Sequence, residues 1–133
     1  MLTCTYISET LEYRISKVAL RNDGILHIKI KPDEIFTKND FLDLMDAAYK
    51  IGNGQRFLNL IDVGEHTTAD ADARALSASK EGSIYKIADA FVIYSLPQKI
   101  VGNFYASFNK PIIPTKFNTC EKEAIKWLNS LTF

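Results

Sequence analysis

The stretch Arg56-Phe57-Leu58-Asn59-Leu60-Ile61-Asp62-Val63-Gly64-Glu65-His66-Thr67-Thr68-Ala69-Asp70-Ala71-Asp72-Ala73-Arg74 decides how the chain is read. Phe57 to Val63 is apolar on both faces apart from Asn59 and, near its end, Asp62, the pattern of a strand covered on both sides. The polar turn and the alanine-rich run after it predict a central strand feeding a helix N-terminus, with Thr67 or Thr68 as the cap and an end near Gly82. Asp62, Glu65, His66, Thr67, Thr68, Asp70 and Asp72 make this junction the densest gathering of polar and ionisable residues in the chain. It is the predicted functional site, although capping, helix-dipole complementarity and a solvated turn account for the same residues without any chemistry.

On the N-terminal side, Leu11 to Arg21 alternates through Leu11, Tyr13 and Ile15 and then changes phase to Val18 and Leu20, which predicts one strand with a bulge or bend. Asn22-Asp23-Gly24 tolerates positive φ and joins it to Ile25–Lys31 as an antiparallel hairpin, with Leu26, Ile28 and Ile30 on one face. His27 is expected at solvent or against a neighbouring strand. Thr37 to Asp40 has the side-chain oxygens of a helix start, and Phe41, Leu44, Met45 and Ala48 recur at helical spacing until Gly52 and Gly54.

On the C-terminal side, Ala88 to Tyr94 is a second doubly apolar strand once past Asp89. Pro97 suits a first helical turn, and Ile100, Val101, Phe104, Tyr105 and Phe108 form a stripe expected to be buried. Pro111 and Pro114 place the strand Ile112–Phe117 at an edge, since proline cannot donate to a ladder. Asn118 to Glu121 has the form of a capping box opening a last helix, with Ala124, Ile125, Leu128 and Leu131 inward and Trp127 flanking.

The order is therefore ββαβαβαβα, an α/β fold with a five-stranded, mostly parallel sheet and an N-terminal antiparallel hairpin. With strands in sequential order, every helix falls on one face, and the other needs cover from the N-terminal segment, an apolar ligand or a second subunit. A switch in strand order instead puts helices on both faces and opens a crevice at the carboxyl ends of the strands.

A chain of 133 residues, 47% hydrophobic and 24% charged, suits a single domain, with residues 1–10 as an N-terminal extension. Sixteen Lys and Arg balance sixteen Asp and Glu without a basic stripe, so nucleic acid is not expected as a partner. Neither a signal-peptide pattern nor an apolar run of bilayer length is present, which predicts a cytoplasmic protein without membrane insertion. Cys4 and Cys120 stand far apart without a histidine or thiol at metal-ligand spacing and read as free thiols. Gly52-Asn53-Gly54 precedes a strand and lacks the Lys-Ser/Thr of a phosphate loop, and no cofactor is expected.

The strand Arg56–Val63 with its polar turn, the strand Ala90–Tyr94, the amphipathic run Pro97–Phe108 and the closing Lys116-Phe117-Asn118-Thr119-Cys120-Glu121-Lys122-Glu123-Ala124-Ile125-Lys126-Trp127-Leu128 resemble the STAS-like group of small bacterial proteins. In that group a last strand ending in Phe runs into a helix carrying Glu-x-Ala-x-x-Trp-Leu; Phe117, Ala124, Trp127 and Leu128 match it here, and Lys122 stands at the Glu position. The resemblance implies a β-α superhelix with sequential strands, shared with anti-sigma-factor antagonists and CRAL-TRIO lipid-binding domains. The antagonists are binding modules switched by phosphorylation of a serine in an Asp-Ser-[Ser/Thr]-Gly turn at a helix N-terminus. The matching segment, His66-Thr67-Thr68-Ala69-Asp70, lacks that motif and offers only Thr67 or Thr68 as a phosphoacceptor.

The expected function is a non-enzymatic binding or regulatory module that recognises another protein through Asp62, Gly64, Glu65, His66, Thr67, Thr68 and Asp70, as a homodimer and without a metal. Replacing Thr67 and Thr68 together with Ala is expected to weaken partner binding at only a cap-sized loss of stability. Two other readings stand beside it. A small apolar ligand or lipid would use the aromatic stripe of Phe104, Tyr105 and Phe108. A metal-dependent enzyme would use Asp62, Glu65, His66 and Asp70 with His27 as a further ligand, although the spacing matches no metal motif and neither a Gly-x-Ser-x-Gly elbow nor a Cys-His pair is present.

Overall fold

A computed structural model describes residues 5–132, so Cys4 lies outside the described residues. The phase change in the first predicted strand is a break: β1 (Leu11–Glu12) and β2 (Ser16–Leu20) pair antiparallel with Leu11 opposite Val18. Gly24, at φ 85°, turns β2 into β3 (Ile25–Ile30), its antiparallel neighbour. β5 (Phe57–Asp62), β7 (Lys86–Val92) and β8 (Thr115–Asn118) then add in parallel, giving six strands in the order β1-β2-β3-β5-β7-β8. The mostly parallel core and the hairpin are as expected; the count rises from five to six because the first strand divides. β8 is an edge strand, as the prolines before it require.

The helices are α1 (Lys38–Gly52), α2 (Ala71–Ala78), α3 (Leu96–Phe104) and α4 (Glu121–Ser130). Thr37 caps α1 in a reciprocal capping box with Asp40. Asn53, at φ 50°, closes that helix with its N–H on the Tyr49 carbonyl, in place of the glycines on either side. α3 opens on Ser95 and widens into a π turn at Tyr105–Asn109. α2 is shorter than predicted, ending at Ala78. α4 starts at Cys120 with no side-chain cap, so the capping box expected from Asn118 to Glu121 does not form.

Right-handed crossovers put α1, α2 and α3 on one face of the sheet. Leu26, Ile28, Phe57 and Ile61 from that face pack with Phe41, Leu44, Ala47 and Ala73 of α1 and α2. α4 follows the edge strand, is free of any crossover, and folds back over the opposite face, where Ala124 and Leu128 meet Ile25, Leu60, Ala88, Ala90 and Val92. This is what makes β5 and β7 apolar on both sides. The open face left by sequential strand order is covered by the chain's own last helix, with Trp127 and Leu131 at its margin. Full burial of Leu60 and Leu128 is worth about 1.5–3 kcal/mol each.

Candidate functional site

Because β3, β5 and β7 run in parallel, the loops leaving their carboxyl ends share one edge of the sheet, and the sequential strand order leaves no switch-point crevice there. The predicted junction lies there. Gly64 is required by close approach: a Cβ on it would collide with the backbone of Ile30 and Lys31. The next residues bind the turn to the loop after β3. Glu65 O accepts from Asp33 N, and His66, at φ 67°, sets its Nδ1 3.0 Å from Asp33 Oδ1 in an exposed pair of little energetic weight.

Thr67 is 1% exposed, its hydroxyl donating to Lys31 O and accepting from Glu34 N at 3.1 Å. Thr68 and Ala69 form β6, which pairs in parallel with β4 (Ile35–Phe36). Neither threonine caps α2. Asp70 does, accepting from Ala73 N at 2.9 Å, because two residues beyond the predicted cap are spent on this small ladder. Asp72 is exposed in the first helical turn.

Gln98 fastens the junction from α3, a role not visible in the sequence, where it is one polar residue in an amphipathic run. It is 4% exposed; Nε2 donates to Gly64 O and Thr67 O, both at 2.9 Å, and Oε1 accepts from Tyr94 N at 2.7 Å. The Tyr94 hydroxyl donates to Asp62 Oδ1 at 2.7 Å, and that bond, with partial burial, pushes the phenol up to about 12.

The residues offered as metal ligands are thus dispersed: Asp62 serves Tyr94, His66 meets Asp33, and Asp70 caps α2. Among the described residues no three His, Cys, Asp or Glu side chains stand close enough to hold an ion. His27, expected at solvent or against a neighbouring strand, is buried on the α4 side of β3 by strand alternation. Its Nδ1 is 2.7 Å from the Tyr6 hydroxyl, its Nε2 has no partner, and burial lowers its pKa.

A second cluster lies inside, between the sheet and the crossover helices. Ile87 is an extra residue in β7 where the register with Phe57 and Leu58 shifts, so Lys86 and Asp89, three apart, reach the same side. Asp89 is fully buried, its carboxylate paired with Lys86 Nζ at 2.9 Å and accepting from Asn59 Nδ2 at 2.9 Å. The Lys86 ammonium also donates to Ser77 O and Ser77 Oγ, both at 3.0 Å, and lies 5.0 Å from the centre of the Phe41 ring. Tyr105 donates to the same Ser77 hydroxyl at 2.9 Å, and burial drives its phenol far up. Two of the ammonium protons go to Ser77 and the charge faces Asp89, so Lys86 acts on Ser77 as a hydrogen-bond donor.

Beside this network is a cavity of about 130 Å³, with Leu26, Phe41 and Ile61 among its walls and Arg74, Lys86 and Asp89 at its polar side. Outside it, α3 departs most from expectation. Tyr105 is buried, but Leu96, Ile100, Phe104, Phe108 and Ile112 are exposed, Phe108 by 70%, and Phe104 and Phe108 stack at 4.8 Å. The helix is packed through Gln98, Gly102 and Tyr105, with Gly102 tight against the Phe117 ring. The aromatic stripe therefore divides between core and surface.

Residues 18–132 match the profile of a family described as a domain of unknown function, DUF7793. No curated protein matches the chain. Among solved structures it is similar to an uncharacterized protein of the DUF3478 family with a SpoIIAA-like fold, from Shewanella loihica PV-4. The two share 16% identity at a TM-score of 0.56, over 94% of this chain and 93% of that one. At that identity the likeness is one of fold, and it bears out the STAS-like architecture. Among the described residues no helix is long and apolar enough to cross a membrane.

Proposed function

The chain belongs to the DUF7793 family, and on that premise we propose that it is a non-enzymatic, regulatory binding module of the cytoplasm that works by protein–protein contact. The recognition surface is the outer face of α3 together with the adjoining turn from Gly64 to Asp70, and one of its partners is a second copy of this chain. The observation that carries this reading is the row of Leu96, Ile100, Phe104, Phe108 and Ile112, large apolar side chains left exposed along one helix and the loop after it. Exposed apolar rows of this kind mark contact sites on soluble proteins, and each such side chain withdrawn from water contributes about 1.5–3 kcal/mol. Gln98 supports the reading by tying the α3 start to Gly64 and Thr67, so that helix and turn present one rigid surface. Exposed Glu65 and His66 supply a polar rim, and half-buried Thr68 is the more accessible of the two candidate phosphoacceptors.

Sedimentation over a concentration series tests the proposal. The wild-type chain is expected to dimerise, Ile100→Asp with Phe104→Asp to remain a monomer of unchanged circular dichroism, and Glu65→Lys to weaken association less. A wild-type chain that stays monomeric throughout, or a double variant that dimerises as well as wild type, refutes it.

A further inference from the structure

We propose that the cavity between the sheet and the crossover helices binds a small monocarboxylate with a compact apolar body, and that Arg74 receives the carboxylate. This goes beyond the surface reading and meets it at Phe104, whose ring lies against the Arg74 guanidinium. At about 130 Å³ the cavity is close to the size of an engineered apolar cavity of about 150 Å³ that takes up benzene, so the body it admits is a branched or aromatic group and not a lipid chain. Leu26, Ile28, Phe41 and Ile61 supply apolar wall. The charged lining residues are Arg74, Lys86 and Asp89, and Lys86 and Asp89 are already paired with each other. Arg74 has no carboxylate partner among the described residues, which leaves one positive charge in excess at the cavity.

The side chain is half-buried, its guanidinium 5.3 Å from the centre of the Phe104 ring. Nη1 donates to Ala69 O, whereas Nε is shut off from solvent without an acceptor. A buried cationic donor with no acceptor carries its desolvation cost uncompensated, and a carboxylate oxygen is the partner that relieves it most, through a charge-assisted bond. A neutral hydrocarbon of the same shape fills the void but leaves Nε unmet. A dianion carries more charge than the single excess cation balances and finds no match in the apolar wall.

The test is a ¹H–¹⁵N NMR titration of the intact chain with benzoate and isovalerate, and with toluene as the uncharged probe. Both acids are expected to give saturable shifts at the amides around Ala73 and Ile61, with benzoate tighter than toluene. Arg74→Gln is expected to weaken benzoate at least tenfold while leaving toluene unchanged. Arg74→Lys, which keeps the charge but removes Nε, is expected to weaken it as well. Ala48→Leu, which adds bulk to the cavity wall, is expected to abolish all three. Absence of saturable shifts with either acid up to about 10 mM overturns the proposal. So does benzoate binding that Arg74→Gln leaves intact, or a cavity that proves to hold ordered water and admits no probe.

Discussion

On the α4 side of the sheet, Ile25, Leu60, Ala88, Ala90 and Val92 are no more than 3% exposed and meet Ala124 and Leu128 with no charge between them. On the crossover side the same strands present Asn59, Asp89 and, through the bulge, Lys86, and the space beneath α1 and α2 is incompletely filled. The contrast follows from how each face is covered. α4 is one helix with small residues beneath it, free to settle as close as packing allows. The crossover helices are held by the connections on either side of each, and bulky groups between them leave voids that only a ligand or water occupies. One face supplies cohesion, whereas the other spends part of its burial on a polar network whose members must all find partners.

The largest break in this contrast comes from Lys86. Lys86→Met leaves the Asp89 carboxylate buried with Asn59 as its remaining partner, and is expected to cost about 3–5 kcal/mol in urea unfolding. Lys86→Met with Asp89→Leu removes both charges, turns this face into a version of the α4 face, and is expected to recover most of that loss. Equal costs for the single and double variants would show that the two charges are not coupled in the folded state.

The second break is one of pH and belongs to the α4 face. His27 is buried there, with Tyr6 of the N-terminal segment on Nδ1, and the charged groups around it are Glu121 on α4, Lys29 on β3, Arg21 and Asp62. Burial, the largest influence, holds its folded pKa below the unfolded value of about 6.5, so the unfolded chain binds the proton more readily. Its contribution is therefore complete above about pH 6.5 and is lost as pH falls through the depressed folded value. Thermal unfolding from pH 7 to pH 5 is expected to show a decline that His27→Gln flattens. Asp40 does not confuse the result. Burial works to raise its pKa, but hydrogen bonds from Arg14 and Thr37 prevail and hold it below 3.8, so its contribution is lost only at lower pH.

Most of the architecture was legible because hydrophobic period and turn chemistry report burial directly. The Asn22–Gly24 turn and the prolines before β8 each point to one geometry, whereas the two-sided strands fit either strand order, and α4 supplies the second cover. The site was less legible, for reasons that lie in particular residues. Thr67 and Asp70 are both good caps, and only the pairing of Thr68 and Ala69 with Ile35 and Phe36 decides between them. That pairing also buries the Thr67 hydroxyl between Lys31 and Glu34, so Thr67→Ala removes more than a cap. Lys86 and Asp89 share a side only because of a bulge that no local signal announces. The stripe on α3 read as core because periodicity reports which residues share a face, not whether another element covers it.

The finest distinction between the two faces lies at the helix starts. Asp70 gives α2 a local signal through Ala73 N, whereas Cys120, with the extended backbone of a cap (φ −149°, ψ 154°), offers α4 none. Asp70→Ala is accordingly expected to cost about 1 kcal/mol in unfolding free energy, the ordinary worth of an N-cap. Cys120→Ser places an acceptor where the backbone already has cap geometry. If α4 is held by its packing on Ala88, Ala90 and Leu60 and its start is merely unserved, this exposed substitution adds about 0.5 kcal/mol. A loss instead of a gain would mean that the thiol packs against something the hydroxyl cannot replace. The end of α4 would then be as constrained as its middle, and the face that appears simplest would depend on a local contact after all.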